Sequence, residues 1–274
     1  MYDTLASARS GPPQSRRHKR SVLRRVIRTL AILTGVTVVG GAAWYLLLFL
    51  VTATESSSAA IRPSVRKIEL SIDSGDIEVD VVGQEEKPEL YKKLTKSLRS
   101  PDETIKQDKD TLRVTTRCGE GMGQCASDYR LTVPVGTRIR AETRLGDVSV
   151  QGVQASVEGR TRIGSVRLER IAGDHLVAVS KNGALTLKDV KFGTAEATTE
   201  LGDVLVEDID AFERLTAVSK TGDVELRLPM TAGPFAVNAE TKIGNRKVTV
   251  DQDSSSGASV NARTKIGDVT VRAN

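Results

Sequence analysis

A string of about eleven residues recurs through the second half of the chain and constrains its fold more than any other feature. A hydroxyl residue stands three positions before a glycine, and alternating aliphatic residues follow it, as in TRLGDVSVQGV from Thr143 and TKIGDVTVRAN from Thr264. Successive glycines lie 18 to 23 residues apart. They are Gly146, Gly164, Gly183, Gly202, Gly222, Gly244 and Gly267. A short recurring period of this kind is typical of a solenoid.

The residue types around each glycine repeat as columns. Apolar residues stand seven positions before it, small residues five before, and Thr or Ser three before, while aliphatic residues stand two and four after it, with Arg246 as an exception. A spacing of two indicates extended strands with one buried face. We therefore predict an all-β fold, a parallel β-solenoid (β-helix) of seven to eight coils. Each coil should stack on the preceding one, with a glycine corner at positive φ.

An earlier copy of the template extends the array toward the N-terminus. Ile68, Gly75 and Val79 occupy its positions. The predicted solenoid domain covers residues 65–274, with an irregular region over 84–135 that caps its N-terminal end. Within this region we predict a hairpin or a short helix over 84–110 and strands at Leu112–Val114 and Tyr129–Val133. The other end is predicted to be open at Val269–Asn274.

An uncharged stretch of 22 residues, 30–51, precedes the repeats. Its helical length of about 33 Å matches a bilayer core of about 30 Å, so we predict one transmembrane helix. Residues 1–29 carry eight Lys/Arg and one acid. The positive-inside rule then places this tail in the cytoplasm and the C-terminal domain outside the cell membrane. Residues 52–64 are predicted to be a linker, and a signal peptide cleaved near Ala53 is the alternative.

The net charge of +5 belongs to this tail. The remaining residues contain 32 Lys/Arg and 34 Asp/Glu, which argues against a nucleic-acid partner for the domain.

The chain contains two cysteines, Cys118 and Cys125. A location outside the cytoplasm favours a disulfide between them, although two free thiols and metal ligation are the alternatives.

The sequence offers little for catalysis. His175 is the single histidine beyond the tail, and no Ser-His-Asp constellation accompanies it. Aspartate follows four of the seven glycines, and a repeated column indicates turn chemistry with local backbone N–H groups rather than a unique active site. We therefore predict a protein that is not an enzyme and that needs neither a cofactor nor a metal.

Basic residues dominate the column two positions before each glycine, where Glu200 is the one acid. The basic members are Arg144, Arg162, Lys181, Lys220, Lys242 and Lys265. Stacked coils would align them along one outer edge at intervals of about 4.8 Å. Either the neighbouring aspartates neutralise this row, or the row binds an anionic envelope polymer or lipid headgroups.

The GDV-V repeats, the basic tail and the single apolar span together resemble a bacterial family of membrane-anchored, adhesin-like proteins with β-strand repeats. The resemblance covers about Val65–Asn274, including Cys118 and Cys125 ahead of LTVP at Leu131–Pro134. It implies a non-catalytic binding module of the cell envelope. A scaffold that self-associates or docks another envelope protein through solenoid ends or edges is the alternative, and the sequence leaves the oligomeric state open.

Overall fold

The computed structural model describes residues 16–50, 53–81, 87–96, 100–119, 125–229 and 233–273, with the helix side chains described for residues 27–46. The chain divides into two compact units, Met1–Val51 and Thr52–Asn274. The first contains helix α1, Arg16–Leu50. Within it, Ile27–Leu46 is long and apolar enough to cross a membrane, by length and composition. This stretch overlaps the predicted span at residues 30–46, whereas tail residues 1–15 lie outside the described part.

The second unit is built from strands, so the all-β prediction is confirmed for this domain. They are β1 Ala53–Ala60, β2 Lys67–Ser74, β3 Ile77–Val81, β4 Glu89–Lys96, β5 Asp102–Asp108, β6 Thr111–Arg117, β7 Cys125–Val133, β8 Arg138–Leu145, β9 Val148–Gln151, β10 Val157–Ile163, β11 Val166–Asn182, β12 Leu185–Leu201, β13 Val204–Ile209, β14 Arg214–Thr221, β15 Val224–Leu228, β16 Ala236–Ile243, β17 Arg246–Thr249, β18 Ser259–Ile266 and β19 Val269–Ala273.

Each repeat contributes one strand segment before its glycine and one after it, and equivalent segments of neighbouring repeats pair in parallel. Val157, for example, lies opposite Ile139 on one side and Leu176 on the other. The sheet therefore consists of two parallel ladders that meet at the glycines. The apolar columns face inward, where most of their members are buried in one continuous core. Burial of these aliphatic side chains is the main favourable contribution to folding.

The repeats are not stacked in sequence order at the N-terminal end. Strand β2 pairs with β8 on one side and with β6 on the other, and β3 lies between β9 and β7. The Gly75 repeat is thus the second layer of the stack, and the strands β6 and β7 that follow it in sequence form the first. The prediction that each coil stacks on the preceding one is wrong here.

The same exchange occurs at the C-terminal end. Strand β18 lies between β14 and β16, and β19 lies between β15 and β17. The Gly267 repeat, last in the sequence, is therefore inserted between the Gly222 and Gly244 repeats. The prediction of an open end at Val269–Asn274 is wrong for the described residues 269–273. The end layer is instead the Gly244 repeat, in which Arg246 is exposed at a position that is apolar in its neighbours.

Antiparallel strands cover the first layer. Strand β5 pairs with β6, and β4 pairs with β7 and with β1. The buried Tyr129 hydroxyl donates to Glu103 Oε1 at 2.6 Å and lies 2.7 Å from Thr116 Oγ1, while Glu103 also pairs with Lys92 of β4. Burial, followed by the nearby Glu103 carboxylate, raises the pKa of Tyr129. This polar cluster connects the covering strands to the repeats.

One prediction about the N-terminal part needs correction. Residues 53–60, within the predicted linker, form strand β1, because the extended Ser/Ala-rich segment pairs along its full length with β4. In the region 84–135, β5 and β6 form an antiparallel hairpin, and the strands predicted at 112–114 and 129–133 lie within β6 and β7.

Candidate functional site

The glycine corner determines which side chains each repeat presents to solvent. The seven predicted corner glycines have φ between +137° and +156°, a region that side chains other than glycine rarely adopt. The Gly202 N–H donates to the Thr221 carbonyl of the next layer, and a Cβ on Gly202 would lie 2.2 Å from the Gly183 carbonyl oxygen. The backbones of adjacent layers therefore approach too closely for any side chain at this point.

The Thr or Ser residues three positions before the glycines, which we call the hydroxyl column, stabilise the corner from its buried side. Thr161 Oγ1 donates to the Gly146 carbonyl at 2.8 Å, and equivalent bonds recur along the stack. At the C-terminal end Thr264 bonds Gly222, and Thr241 bonds Gly267. These bonds follow the exchanged order of the layers. They satisfy hydroxyl groups in the interior that would otherwise destabilise the fold.

The aspartates that directly follow the glycines, which we call the aspartate column, stabilise the corner from its exposed side. Asp147 Oδ1 accepts a hydrogen bond from the Ser165 N–H at 2.7 Å, and Asp203 Oδ1 accepts one from the Asp223 N–H at 2.8 Å. The prediction of turn chemistry thus needs one correction, because the donor lies in the adjacent layer rather than in the local turn. Asn245 belongs to the end layer, which has no further layer on its outer side.

The six predicted basic residues are exposed beside this corner. In spatial order the column reads Arg144, Arg162, Lys181, Glu200, Lys220, Lys265 and Lys242, as the pairing of the adjoining residues shows. Lys220, Lys265 and Lys242 occupy three consecutive layers, and the exchange of the last two repeats places Lys265 between the other two. Glu200 separates them from the other three cations. We call these seven positions the basic column.

Few charges in the basic column are neutralised. Arg144 lies 3.8 Å from Asp73 Oδ2, and Lys220 lies 3.1 Å from Glu200 Oε1. The other four cations form no ion pair with a residue in the described ranges; they are Arg162, Lys181, Lys242 and Lys265. The aspartates across the corner bond backbone N–H groups and make no ion pair with the described part of the column. The structure thus offers a row of available positive charges.

The outer face of the ladder after the glycines shows the opposite arrangement. Glu207 accepts from both Lys188 at 3.1 Å and Arg227 at 2.6 Å, and Glu225 contacts Arg227 and Arg272 at 3.0 and 2.8 Å. The hydrogen bond from Arg227 lowers the pKa of Glu225, and the hydrogen bond to Glu207 raises the pKa of Lys188. Charges on this face are balanced between layers, which distinguishes it from the basic column.

A second exposed column adjoins the basic one, and the sequence analysis missed it. Aliphatic side chains stand immediately before five glycines, with 43% to 65% of their surface exposed. In spatial order they are Leu145, Ile163, Leu201, Ile266 and Ile243, with Asn182 after the second and Thr221 after the third. The recurring Leu-Gly and Ile-Gly pairs were its signal in the sequence. We call these five side chains the aliphatic column.

Comparison with known proteins identifies the family of this domain. The Toastrack DUF4097 family matches residues 131–274, more than half of the chain. The chain belongs to this family. Among curated proteins, none matches this Toastrack chain.

Solved structures are similar to this Toastrack protein at low identity. A putative adhesin from Bacteroides fragilis is 14% identical, with a TM-score of 0.51 over 81% of this chain and 97% of its own. A putative adhesin from Parabacteroides distasonis is 10% identical, with a TM-score of 0.44 over 81% and 97% of the two chains. A putative cell adhesion protein from Clostridium sporogenes is 14% identical, with a TM-score of 0.37 over 81% and 100%. The first of these shows a shared fold.

The remaining candidate residues of the Toastrack chain are the two cysteines and His175. A disulfide joins Cys118 and Cys125, beside the corner of the first layer. His175 is exposed, and its Nδ1 lies 2.7 Å from Thr194 Oγ1 in the next layer. The described residues contain no group of three His, Cys, Asp or Glu side chains that could hold a metal ion.

Proposed function

We propose that this protein is a single-pass membrane protein of the bacterial envelope whose extracytoplasmic domain, a parallel β-solenoid, binds polyanions through the basic column without catalysis. The observation that carries this proposal is that four of the six cations in the basic column form no ion pair with a described residue, whereas the outer face of the other ladder is extensively paired. Regularly spaced point charges suit a linear polyanion or anionic lipid headgroups. The name of the Bacteroides fragilis neighbour, a putative adhesin, agrees with a binding role.

Sequence and covalent structure support the proposed location. Eight basic residues precede the uncharged stretch 30–51, which favours a cytoplasmic N-terminus. The disulfide between Cys118 and Cys125 belongs on the oxidising side of the membrane. Protease added to spheroplasts should therefore digest the domain and leave the N-terminal tail intact. A domain protected until the membrane is permeabilised would contradict this orientation.

The binding role is tested by removing three adjacent charges. Lys220→Gln, Lys265→Gln and Lys242→Gln should together weaken the binding of labelled inorganic polyphosphate at 0.1 M salt by about 100-fold. Each lysine near an anionic surface contributes about 1 kcal/mol, and about 1.4 kcal/mol corresponds to a tenfold change in affinity. The measurement is fluorescence anisotropy with the full chain in phosphatidylcholine nanodiscs.

A matched control removes the same amount of charge elsewhere. Arg167→Gln, Lys188→Gln and Arg272→Gln alter the paired outer face of the other ladder. This variant should bind polyphosphate within about threefold of the parent, because screening weakens interactions beyond about 10 Å at 0.1 M salt. Equal affinity in all three proteins, or equal losses in both variants, would refute a role specific to the basic column.

A scaffold function is the second candidate, and one observation favours it. Among the described strands, β16 pairs with β18 and β17 pairs with β19, so the outer edge of the Gly244 repeat is unpaired. Such an edge can accept an added strand. Exposed Lys242, Arg246 and Lys247 lie along it, and charges of this kind discourage edge-to-edge association. We therefore rank polyanion binding first.

A further inference from the structure

The aliphatic column exposes apolar surface beside a row of cations. Leu145 and Ile163 occupy adjacent layers at one end, and Ile266 and Ile243 occupy adjacent layers at the other. Seven layers at about 4.8 Å extend over about 29 Å, so the two columns run along one edge of the stack. Asn182 and Thr221 divide the aliphatic column into three exposed apolar segments, and exposed apolar surface with a polar border marks an interaction site.

We propose that this edge docks on the surface of a lipid bilayer that contains anionic headgroups, with the aliphatic column inserted at the level of the headgroups and the basic column bound to phosphate groups. This inference rests on the proposed function and narrows it to one ligand class. Combined apolar insertion and electrostatic attraction is the mode by which amphipathic protein surfaces bind anionic membranes.

The structure favours a lipid surface over the other occupants. A soluble polyanion would neutralise the cations but leave Leu201 and its equivalents in water. A second copy docked through the same edge would bring two basic columns together, which is electrostatically unfavourable. Only Val51 and Thr52 separate α1 from β1 in the sequence. A bilayer that holds α1 therefore keeps the domain close to a lipid surface and raises the effective concentration of that surface.

The aspartates contact the backbone rather than the cations. They lie across the glycine from the two columns, and their Oδ1 atoms accept backbone N–H groups at 2.7 to 2.8 Å from the adjacent layer. Arg162, Lys181, Lys242 and Lys265 stay exposed beside the corner.

The test measures contact between lipid and the side chain at position 201 in the full chain. Leu201→Cys, labelled with an environment-sensitive fluorophore without reductant, is reconstituted into vesicles that contain acyl-chain nitroxide lipids. With 30% phosphatidylglycerol at low salt, we expect nitroxide to quench the probe at least twofold. Lys191→Cys, on the connection between the two ladders at the other side of the repeat, is the matched control and should be quenched less than 1.2-fold.

Two further arms separate this inference from the proposed function. Adding Lys220→Gln, Lys265→Gln and Lys242→Gln should abolish quenching of the Leu201 probe, and so should phosphatidylcholine vesicles. Ile163→Ser, Ile266→Ser and Ile243→Ser together, in the labelled Leu201→Cys protein, should also abolish it, yet leave polyphosphate affinity within twofold. An unquenched Leu201 probe with intact polyphosphate binding would overturn the docking proposal alone. It would then favour a protein as the partner that binds this edge. Loss of both would overturn both proposals, and equal quenching at Lys191 would show contact that does not involve the columns.

Discussion

Gly202→Ala should lower the free energy of unfolding by about 3–5 kcal/mol, which places it among the most damaging single substitutions expected. The added Cβ would lie 2.2 Å from the carbonyl oxygen of Gly183 and 2.6 Å from its carbonyl carbon, and φ at Gly202 is +143°. The clashing atoms belong to the backbone of Gly183 in the middle of the stack, so rotation of a side chain cannot relieve the clash. The two layers would have to separate, with loss of their corner hydrogen bonds.

Gly257→Ala is the matched control. No atom outside the neighbouring residues lies within 4 Å of a Cβ at Gly257, which is exposed in the segment before β18. Its free energy of unfolding should stay within about 0.5 kcal/mol of the parent, as for most surface substitutions. Denaturant unfolding of the full chain in detergent, followed at the circular dichroism band of the β-sheet, measures both. Similar stabilities for the two variants would show that Gly202 does not occupy a close approach of two layers.

Val271→Asp should destabilise the domain by about 3–5 kcal/mol, whereas Val248→Asp should cost about 1 kcal/mol. Val271 in β19 is fully buried, and its strand is covered on both sides by β15 and β17. A carboxylate there would be buried without a partner. Val248 occupies the equivalent position of the end layer and keeps part of its surface in solvent.

The pair of variants distinguishes the observed order of layers from a sequential one. In a sequential stack the Gly267 repeat would form the end layer, and Val248 would be enclosed between two neighbours. The costs of the two substitutions would then be reversed. The midpoints of urea unfolding compare the stabilities of the two variants, provided that their free energies of unfolding change equally with urea concentration.

The sequence predicted the columns well because each column reflects a local requirement. A positive φ requires glycine at Gly146 and its equivalents, and alternation of inward and outward side chains follows from strand geometry. The order of the layers could not be obtained in this way. Every repeat presents nearly the same inward columns, so the Gly267 repeat fits equally well beside Gly222 or beside Gly244 by pattern alone.

One residue carried the missing information about the end layer. Arg246 breaks an otherwise aliphatic column. It marks the Gly244 repeat as the end of the stack once the structure is known. The aliphatic column was missed for another reason. Leu201 and its equivalents resemble the last inward residue of a strand, and only the turn at the glycine exposes them.

A cysteine cross-link tests the exchanged order of the last two repeats most directly. Thr221 lies opposite Ile266, which lies opposite Ile243, so Lys220 and Lys265 occupy adjacent layers and Lys242 the next. Neighbouring strands are about 4.8 Å apart, within the Cα separation of 4.4–6.8 Å that a disulfide requires, whereas strands two layers apart are not. Mild oxidation should therefore cross-link Lys220→Cys with Lys265→Cys, as detected by mass spectrometry of the joined peptides, and should leave Lys220→Cys with Lys242→Cys unlinked. Cross-linking of the second pair without the first would show a sequential stack and contradict the exchanged order of the layers.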